Sequence, residues 1–595
     1  MFQGFEETAN AAAGPVRLAA LRAAMREAGM DGFIVPRADA FQGEYVAERD
    51  ARLAWLTGFT GSAGFCVALM ERAGVFVDGR YRVQVREQVE LSVFEPVDWP
   101  EVKLADWLRE ALPEGGRVGF DAWLHTAGEI ETHRKALEGS GIELVASGNL
   151  VDAIWQDQPG RPLGKVIAHP LEHAGESSAD KRARLARGLR DAGARAAVIT
   201  LPDSICWLLN IRGADIARNP VVQAFAILHD DGRVALFSDV EKFAGVAPEA
   251  DVQGYEAFEA ALAALEGPVR VDKPSAPLAV SETLRAAGVE VAWGQDPCIL
   301  PKARKNPVEI AGAREAHLRD GAAMVEFLCW LEGALEGEID EISITRRLEG
   351  FRRDTGALRD ISFETICGSG AHGALPHYRV SKSSNRVVQP GELVVIDSGG
   401  QYLDGTTDIT RTVVRGAAGA EERAAFTRVL QGMIAISRLR WPRGLAGRDL
   451  DALARYPLWL AGQDYDHGSG HGVGSYLCVH EGPQRLSRLS EVPLEEGMIL
   501  SNEPGYYREG AFGIRTENLV VVRAAPPLAG ADARDMLAFE TLTFVPIERR
   551  LIAPEMLAPP ERDWLNAYHA EVRDRIAPRV SDEAAAWLER ACAPI

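Results

Sequence analysis

The chain has 595 residues, of which 47% are hydrophobic and 25% are charged, and its formal net charge is −21. This composition is typical of a soluble globular protein, and the length allows roughly three or four domains. Nucleic-acid-binding proteins carry clustered positive charge. The acidic balance therefore excludes that class, and we expect no nucleic-acid partner.

The cysteine pattern indicates the compartment. The chain has seven scattered cysteines and no CxxC pair, which argues against a disulfide framework or a cysteine zinc site and favours a reducing compartment. The acidic N-terminus lacks the apolar stretch of a signal peptide, and no run approaches the roughly 18 apolar residues of a membrane span. We therefore expect a cytoplasmic protein without a membrane segment.

Two segments of the first half of the chain are similar to one another. "WLTGFTG" begins at Trp55 and "WLLNIRG" at Trp207, and their Trp, Leu and final Gly align at one common offset. Two apolar runs follow each segment, and the second run ends at Asp78 or Asp239. A helix is predicted before the first copy, over 16–28, because apolar residues recur there at helical spacing. We interpret this as two copies of one α/β unit, about 14–150 and 151–300.

The second half has a different pattern. The basic, turn-rich stretch "PCILPKARKNP" reads as a connector, and a long helix is predicted over 308–336. Asp340 is a plausible N-cap of the next helix. From Ser362 short strands are broken by Gly and Pro, which favours an α+β domain, with helices returning over 420–460. The predicted domains are 1–150, 151–303 and 304–595.

Three aspartates stand in the stretch "IDSGGQYLDGTTDITRT", although strand interiors are depleted in Asp. If Asp404-Gly405 forms a two-residue hairpin turn, Asp408 faces Gln401, and Asp397 then lies four residues away, about 13 Å at about 3.3 Å per residue. A shared cation site would need a bend, for which the double glycine of the segment is suited. The alternative is that all three are turn residues.

Further candidate ligands follow. His467, His471 and His480 lie in "HGSGHGVGSYLCVHEGP", so three of the 12 histidines fall within 14 positions. This clustering indicates a function, although a surface loop with incidental histidines is the alternative. Glu503 and Glu517 follow or precede apolar strand-like runs, in "MILSNEPGYY" and "FGIRTENLVVV". A single glutamate in such a place is more often a rim residue or a member of an ion pair.

Together these residues are more informative than each alone. Two Asp, two Glu and one His make an oxygen-rich set, which suits Mn²⁺ or Mg²⁺, while the imidazole leaves Zn²⁺ and Co²⁺ possible. Four carboxylates carry about the charge that two divalent ions neutralise. Two ions about 3.5–4 Å apart, bridged by carboxylate, are a recurring hydrolytic arrangement.

The set at this spacing resembles the pita-bread metallopeptidases, which include methionine aminopeptidase, prolidase and aminopeptidase P. The surrounding sequence is most similar to the three-domain cytosolic Xaa-Pro aminopeptidases, in "GFTGSAG", "DGRY", "DSGGQYLDGTTDITRT", "HGSGHGVGSYLCVHEGP", "SNEPGYY", "FGIRTENLV" and "DWLNAYH". The resemblance implies two creatinase-like N-terminal α/β domains followed by a pita-bread domain of α+β type. It implies a metalloaminopeptidase that cleaves after residue 1 when residue 2 is proline, and such enzymes are often homodimers.

The resemblance also implies roles for the ligand set. Asp397 would bind one ion, Asp408 and Glu517 would bridge both ions, and His471 and Glu503 would bind the other. The usual ion of the family is Mn²⁺. A bridging water or hydroxide would be the nucleophile, and Glu503 would carry its proton to the leaving nitrogen.

Further residues match positions that are not ligands. By resemblance, His377, His467 and His480 would stabilise the oxyanion and line the proline pocket, with His377 and His480 in catalytic roles. Tyr507 is expected to contact substrate. The same interpretation extends to Tyr506 and to Tyr378, with core packing as the alternative for all three tyrosines.

The role of one residue close to Glu517 is left open. Arg515 is either a partner of the metal carboxylates or a member of a surface ion pair. Cys367 is interpreted as a packing residue.

Three alternative functions stay open at this point. A prolidase cleaves Xaa-Pro dipeptides, but such enzymes usually carry one N-terminal domain instead of two. A pita-bread domain can bind proteins without catalysis, and creatinase-like chemistry uses the fold without metal. The complete ligand set argues against the protein-binding and the creatinase-like alternatives.

Overall fold

The computed structural model describes all 595 residues and divides them into two compact units. The N-terminal unit comprises Thr8–Leu171 and Glu176–Ile299. The C-terminal unit comprises Leu300–Ile595 together with two short segments, Met1–Glu7 and Glu172–Gly175. None of the helices has the length and apolarity that crossing a membrane requires.

The N-terminal unit contains two six-stranded sheets and a short two-stranded ribbon. Its strands are Gly32–Pro36 (β1), Phe65–Leu69 (β2), Ala73–Val77 (β3), Glu95–Asp98 (β4), Gly116–Asp121 (β5), Ile142–Ser147 (β6), Ile167–Ala168 (β7), Ala196–Ile199 (β8), Ile211–Arg212 (β9), Phe225–His229 (β10), Val234–Phe237 (β11), Asp251–Gln253 (β12), Val269–Val271 (β13) and Val291–Trp293 (β14).

Residues 8–299 also form eleven α-helices, of which Leu171–Ala174 lies almost entirely in a segment of the C-terminal unit. They are Gly14–Glu27 (α1), Arg52–Thr57 (α2), Arg82–Gln88 (α3), Leu104–Ala111 (α4), Ala127–Ala136 (α5), Leu150–Ile154 (α6), Leu171–Ala174 (α7), Ser178–Asp191 (α8), Pro202–Leu209 (α9), Phe258–Ala263 (α10) and Leu278–Ala286 (α11). Helix α1 buries Leu18, Leu21 and Met25, as the helical spacing predicts.

The two large sheets have the same topology. Their strand orders are β4-β3-β2-β1-β5-β6 and β12-β11-β10-β8-β13-β14. In both, the central three strands are antiparallel neighbours, and the three outer pairs are parallel. The predicted duplication of one α/β unit is therefore confirmed.

The C-terminal unit is mixed α+β. Its helices, including the one that begins at the boundary residue, are Ile299–Ala303 (α12), Pro307–Ala334 (α13), Glu341–Asp354 (α14), Ala420–Ser437 (α15), Gly447–Trp459 (α16), Pro559–Ile576 (α17) and Asp582–Ala591 (α18). Its strands are Asp360–Ile361 (β15), Ile366–Ser369 (β16), Leu393–Ser398 (β17), Gly400–Tyr402 (β18), Gly405–Thr406 (β19), Ile409–Val414 (β20), Arg440–Pro442 (β21), Gly470–Gly472 (β22), Glu481–Leu486 (β23), Ile499–Asn502 (β24), Gly505–Arg508 (β25), Phe512–Arg515 (β26), Asn518–Ala524 (β27) and Met536–Thr541 (β28).

The helix starts of this unit follow the predicted caps. Asn306 caps α13 in a capping box with Glu309, and the Asp340 carboxylate accepts the N–H of Ser343 at 2.7 Å. The predicted connector is different in one respect, because it contains α12 and its Lys302 and Lys305 are buried against Glu481. The one Glu481 carboxylate pairs with both ammonium groups, which offsets part of the cost of burying them.

Small antiparallel sheets position the polar residues of this unit. The largest has the strand order β21-β28-β27-β24-β22-β23, and a three-stranded sheet has the order β16-β17-β20. Strands β17 and β20 are buried along their whole length. The apolar core lies between them and helices α13, α15 and α17, so polar groups at the strand ends are held on a rigid base.

Candidate metal centre and active site

The hairpin that follows β17 places two aspartates together. Its turn is formed by Leu403 and Asp404, because Gln401 pairs with Thr406 and Tyr402 with Gly405. The expectation of an Asp404-Gly405 turn was wrong, because Gly405 already belongs to the returning strand.

The register of this hairpin brings Asp408 towards Asp397. Ser398 pairs with Ile409, so Asp408 lies across from Gly399 and diagonally beside Asp397. The strand is interrupted at Gly399, where a Cβ would lie 1.9 Å from the Thr407 carbonyl oxygen. Only glycine allows the two chain segments to approach this closely. Asp397 and Asp408 therefore lie close together, instead of about 13 Å apart as an ideal hairpin would place them.

Asp397 is held by a buried arginine. Arg515 donates to its Oδ2 at 2.6 Å and is only 2% exposed. Of the two alternatives for Arg515, the surface ion pair is therefore excluded. The arginine therefore fixes Oδ2 of Asp397, while Oδ1 has no hydrogen-bond partner.

His471 and Glu503 come together from two neighbouring strands. The His471 Nδ1 lies 2.9 Å from the Gly472 carbonyl oxygen, and because a carbonyl only accepts, this nitrogen carries the hydrogen. Its Nε2 lies 3.3 Å from Glu503 Oε1 and 3.4 Å from Asp408 Oδ2. The Ser501 hydroxyl donates to Glu503 Oε1 at 3.0 Å.

Glu517 lies where the two groups meet. The Thr410 hydroxyl donates to its Oε2 at 2.8 Å. Ligand atoms within 4.8 Å of one another occur in three overlapping sets, which are Asp397–Asp408–Glu517, His471–Glu503–Glu517 and Asp408–His471–His480. We call Asp397, Asp408, His471, Glu503 and Glu517 the carboxylate cluster.

The carboxylate cluster carries negative charge that the protein does not neutralise. Asp397 Oδ1, Asp408 Oδ1 and Glu517 Oε1 are buried without a hydrogen-bond partner. Burial, with the neighbouring carboxylates, raises the pKa of Asp408 to about 6 and that of Glu517 well above its usual value. Unpartnered buried oxygens on converging carboxylates fit divalent cations, which would remove this cost.

The pKa of His471 responds to the same charges. Burial alone lowers it, but the carboxylates of Asp408 and Glu503 outweigh burial and raise it to about 9. A cation at its Nε2 would replace the proton there.

A relay of hydrogen bonds leads away from Asp397. Arg515 Nη1 donates to the Tyr507 hydroxyl at 2.5 Å, and that hydroxyl lies 2.8 Å from His467 Nε2. His467 Nδ1 faces the Gly468 carbonyl at 2.7 Å and so carries the hydrogen. The Tyr507 hydroxyl is therefore the donor to His467.

His480, His377 and Cys367 lie in different surroundings. The His480 ring stands 4.3 Å from the His471 ring, centroid to centroid. His377 follows Pro376, whose carbonyl accepts from Arg515 at 3.1 Å. Cys367 is fully buried in the apolar core.

The tyrosines whose roles were left open differ from one another. Tyr378 is 7% exposed and donates its hydroxyl to Glu341 at 3.0 Å, so the packing alternative describes it best. Tyr506 packs against the apolar core. Only Tyr507 directs its hydroxyl into the polar relay beside Asp397.

Several supporting residues were missed by the sequence analysis. On α16, Arg455 donates to Asp451 at 2.7 Å and to the His467 carbonyl at 2.6 Å. The Ser469 hydroxyl also donates to Asp451 at 2.6 Å, and the Ser469 carbonyl accepts the N–H of Glu503 at 2.9 Å. An Asp and an Arg four residues apart on a helix were the only signal in the sequence.

Comparison with known proteins agrees with this geometry. The model of metallopeptidase family M24 matches residues 311–524, and the C-terminal region of that family matches 535–595. The creatinase/prolidase N-terminal domain matches twice, at 17–154 and 157–309. The fold and the carboxylate cluster thus define a metallopeptidase of the M24 type with two creatinase-like domains.

Full-length relatives narrow the class. A probable Xaa-Pro aminopeptidase P of Laccaria bicolor is 38% identical, over 97% of this chain and 93% of the relative. Aminopeptidase P2 of Arabidopsis thaliana is 38% identical over 92% and 84% of the two chains. The chain belongs to the Xaa-Pro aminopeptidase P family of metallopeptidases, which are hydrolases.

Solved structures give the same result. The X-prolyl aminopeptidase of Caenorhabditis elegans, described as a cytosolic enzyme with a di-nuclear active site, matches 98% of this chain and all of that chain, with a TM-score of 0.93 and 33% identity. A prolidase of Thermococcus sibiricus matches 63% of this chain at 23% identity and a TM-score of 0.50, which shows the shared fold alone. The predicted family and fold class are confirmed.

Proposed function

We propose that this protein removes the first residue from peptides whose second residue is proline. The observation that supports this most is the set of three unpartnered, buried carboxylate oxygens on Asp397, Asp408 and Glu517. Buried charge of this kind persists where it serves a function. The relatives that match the whole chain carry the name of this activity.

The proposed cofactor is a pair of divalent ions. Asp397 would bind one, His471 and Glu503 the other, and Asp408 and Glu517 both. Two ligand sets, Asp397–Asp408–Glu517 and His471–Glu503–Glu517, share Glu517, which supports two adjacent ions. Four carboxylates and one imidazole favour Mn²⁺, with Zn²⁺ or Co²⁺ as alternatives. When bound, two such ions polarise the substrate carbonyl and lower the pKa of a water molecule.

Glu503 is the proposed acid and base. Its Oε1 is held by Ser501 and lies beside His471, so its other oxygen can accept a proton from the attacking water. The leaving nitrogen of proline carries no hydrogen in the peptide and must gain one when the bond breaks. The same carboxyl then donates that proton.

Three histidines and a tyrosine would complete the site. We propose that His377 and His480 donate to the oxyanion and that His377, His467, His480 and Tyr507 contact substrate. The Tyr507–Arg515 hydrogen bond fixes His467 relative to Asp397. Loss of one oxyanion donor raises the activation barrier by about 2.7–4 kcal/mol, so either histidine would contribute substantially to the rate.

The decisive test uses metal-depleted protein and two peptides. Arg-Pro-Pro and Gly-Pro are incubated with Mn²⁺, Zn²⁺ or Co²⁺ added singly, and Arg-Ala-Ala serves as the control without proline. We expect release of arginine from Arg-Pro-Pro, with the highest rate in Mn²⁺. Cleavage of Gly-Pro alone would favour a prolidase, and no cleavage with any ion would leave a protein-binding role.

We propose a homodimer, because α16 exposes Tyr456 and Trp459, which are 58% and 42% exposed, and is followed by Leu460, which is 72% exposed. The three side chains are spaced to lie on one face of the helix end, and a contiguous exposed apolar patch is a candidate interface. Sedimentation of a Tyr456→Glu/Leu460→Glu variant tests this, and a dimer of unchanged affinity would exclude this surface.

We also propose a cytoplasmic location. It is supported by seven cysteines without a disulfide and by the neighbour described as cytosolic. The domain boundaries at 150 and 303 stay part of the proposal. The two sheets of equal topology support the first boundary.

A further inference from the structure

The loop that carries His377 has little structure of its own. Residues 375–392, between the short 3₁₀ helix Gly370–Ala374 and β17, contain no helix or strand. An irregular segment of this length is ordered by contacts with its neighbours. The neighbours therefore decide where the His377 imidazole stands.

The inner side of the loop is fixed to the carboxylate cluster. Arg515 Nη2 donates both to the Pro376 carbonyl at 3.1 Å and to Asp397 Oδ2 at 2.6 Å. The residue next to His377 is thus one side chain away from a proposed metal ligand. Further along the loop, Tyr378 donates to Glu341 and Arg386 to the Ser369 carbonyl, so several neighbours share in ordering it.

The outer side is covered by the beginning of the chain. We call Phe2–Glu6 the N-terminal strap, and this segment belongs to the C-terminal unit. Phe5 is 5% exposed and packs in one apolar cluster with Ile342, Tyr378 and Val380. Phe5 therefore shares an apolar cluster with Tyr378, the residue that follows His377.

The strap also bonds to the loop through its backbone. The Phe5 carbonyl accepts the N–H of Lys382 at 2.8 Å. Arg379 donates to the carbonyls of Gly4 and Glu6 at 3.2 Å and 3.1 Å. Residues two and five positions after His377 are thus held by the strap.

Gln3 connects the strap to the strand beside Asp397. Its side-chain amide donates to the Thr365 carbonyl at 3.2 Å and accepts the Thr365 N–H at 2.9 Å. Thr365 precedes β16, in which Ile366 pairs with Asp397. The strap itself is anchored, because the buried Glu349 carboxylate accepts the N–H groups of Phe2 and Gln3.

We propose that the N-terminal strap positions His377 for catalysis, with Gln3 and Phe5 as the positioning residues. The inference rests on the proposed function, which gives His377 its role at the oxyanion. A displacement of about 1 Å in a reacting geometry can cost about 10²-fold in rate. The strap acts through the loop and does not contact the substrate.

The first test is a Phe5→Ala variant assayed on Arg-Pro-Pro. We expect kcat and kcat/KM to fall together, by about 10- to 100-fold, with KM unchanged because the lost interaction acts in the transition state. Metal bound per chain is expected to stay at the wild-type value. Glu7→Ala is the matched control, because the Glu7 carboxylate accepts an exposed hydrogen bond from the Ser383 hydroxyl, and we expect wild-type kinetics.

A double-mutant cycle separates positioning from loss of stability. In a His377→Ala background, Phe5→Ala is expected to change kcat by about twofold or less, since coupled residues are not additive. The same factor in both backgrounds would overturn the proposal. A wild-type rate in His377→Ala alone would overturn it as well.

A rescue experiment adds a positive result. A chain without Met1–Glu7 is expected to regain kcat, with saturation, when the peptide MFQGFEE is added, and not with MFQGAEE. The peptide has no proline at its second position and so is not a substrate of the proposed activity. A truncated chain with wild-type kcat would contradict the strap, whereas a wild-type enzyme inactive on Arg-Pro-Pro would contradict the proposed function instead.

Discussion

Two buried charge clusters in the C-terminal unit show how the site differs from ordinary structure. In the first, Arg352 donates to both oxygens of Asp320, at 2.8 Å and 3.1 Å, and the Tyr402 hydroxyl donates at 2.7 Å. Burial alone raises the pKa of Asp320, but Arg352 and Tyr402 outweigh burial and lower it. That carboxylate is neutralised within the fold.

The carboxylate cluster is the opposite case. Two basic side chains, Arg515 and His471, lie at ion-pair distance from its four carboxylates, and an oxygen on each of Asp397, Asp408 and Glu517 stays without a hydrogen-bond partner. Burial raises the pKa of Asp408 and Glu517. The difference indicates that buried charge alone does not mark a site, whereas buried charge without enough partners does.

The largest expected effect follows from removing one member of the unbalanced cluster. Asp408→Asn should lower kcat on Arg-Pro-Pro by about 10³-fold or more, because the water pKa near 7 that two ions provide would be lost. Metal analysis of the purified variant should show fewer than two ions per chain.

The matched control lies in the same hairpin. Asp404→Asn affects an aspartate that pairs only with Arg319, so kcat and metal content should stay near wild type. If both variants lost activity equally, the distinction between the aspartates would be wrong.

Breaking the balanced cluster should affect stability instead of chemistry. Arg352→Ala leaves Asp320 buried and charged, and we expect a loss of about 3–5 kcal/mol in the free energy of unfolding. Urea denaturation measures the loss, and any folded fraction should keep its KM.

Two further variants sharpen this prediction. Asp320→Leu combined with Arg352→Met should recover most of the stability, because it removes both charges together. Arg314→Ala breaks an exposed pair with Glu540 and should cost less than about 1 kcal/mol. An equal loss in Arg314→Ala would show that burial is not the cause.

Stabilisation by metal should be smaller than the loss in Arg352→Ala, and it should depend on pH. At pH 7.5, Mn²⁺ at about 100 times its Kd should stabilise the folded state by about 2.7 kcal/mol, measured as a rise in Tm. The folded-state pKa of Asp408 is raised to about 6, so the metal-free fold takes up a proton as the pH falls through 6. Its stability therefore increases there, while metal binding weakens.

The Tm values measured with and without Mn²⁺ should converge as the pH falls from about 7 to about 5. His471 acts in the opposite range, because its raised pKa of about 9 gives the metal-free fold stability that is lost as the pH rises through 9. Asp408→Asn should reduce the convergence near pH 6. A metal effect that is constant from pH 5 to 8 would contradict these ligands.

The sequence identified the cluster through residue types and spacing. Aspartates after a buried strand, a group of histidines and glutamates beside apolar runs left alternatives open, and the resemblance to the pita-bread metallopeptidases selected these five side chains as the expected ligands. The duplicated α/β unit was also readable, because each copy repeats the same turn and the same two apolar runs. Local patterns of this kind depend on neighbours along the chain.

The support of the cluster was not readable in the same way. Arg515 had two interpretations because its partner Asp397 lies 118 positions away in the chain. Tyr507 and Tyr378 looked alike in sequence, yet one hydroxyl faces Arg515 and the other Glu341. The strap showed no pattern, since its partners are more than 300 residues distant.

The sequence by itself determined which carboxylate and imidazole side chains are available for a site and their order along the chain, because these are properties of the residues. Only the tertiary structure decided which of these carboxylates lack hydrogen-bond partners and which segments contact the loop that carries His377. Burial and long-range hydrogen bonds set both, and they exist only after distant strands and the beginning of the chain have packed together.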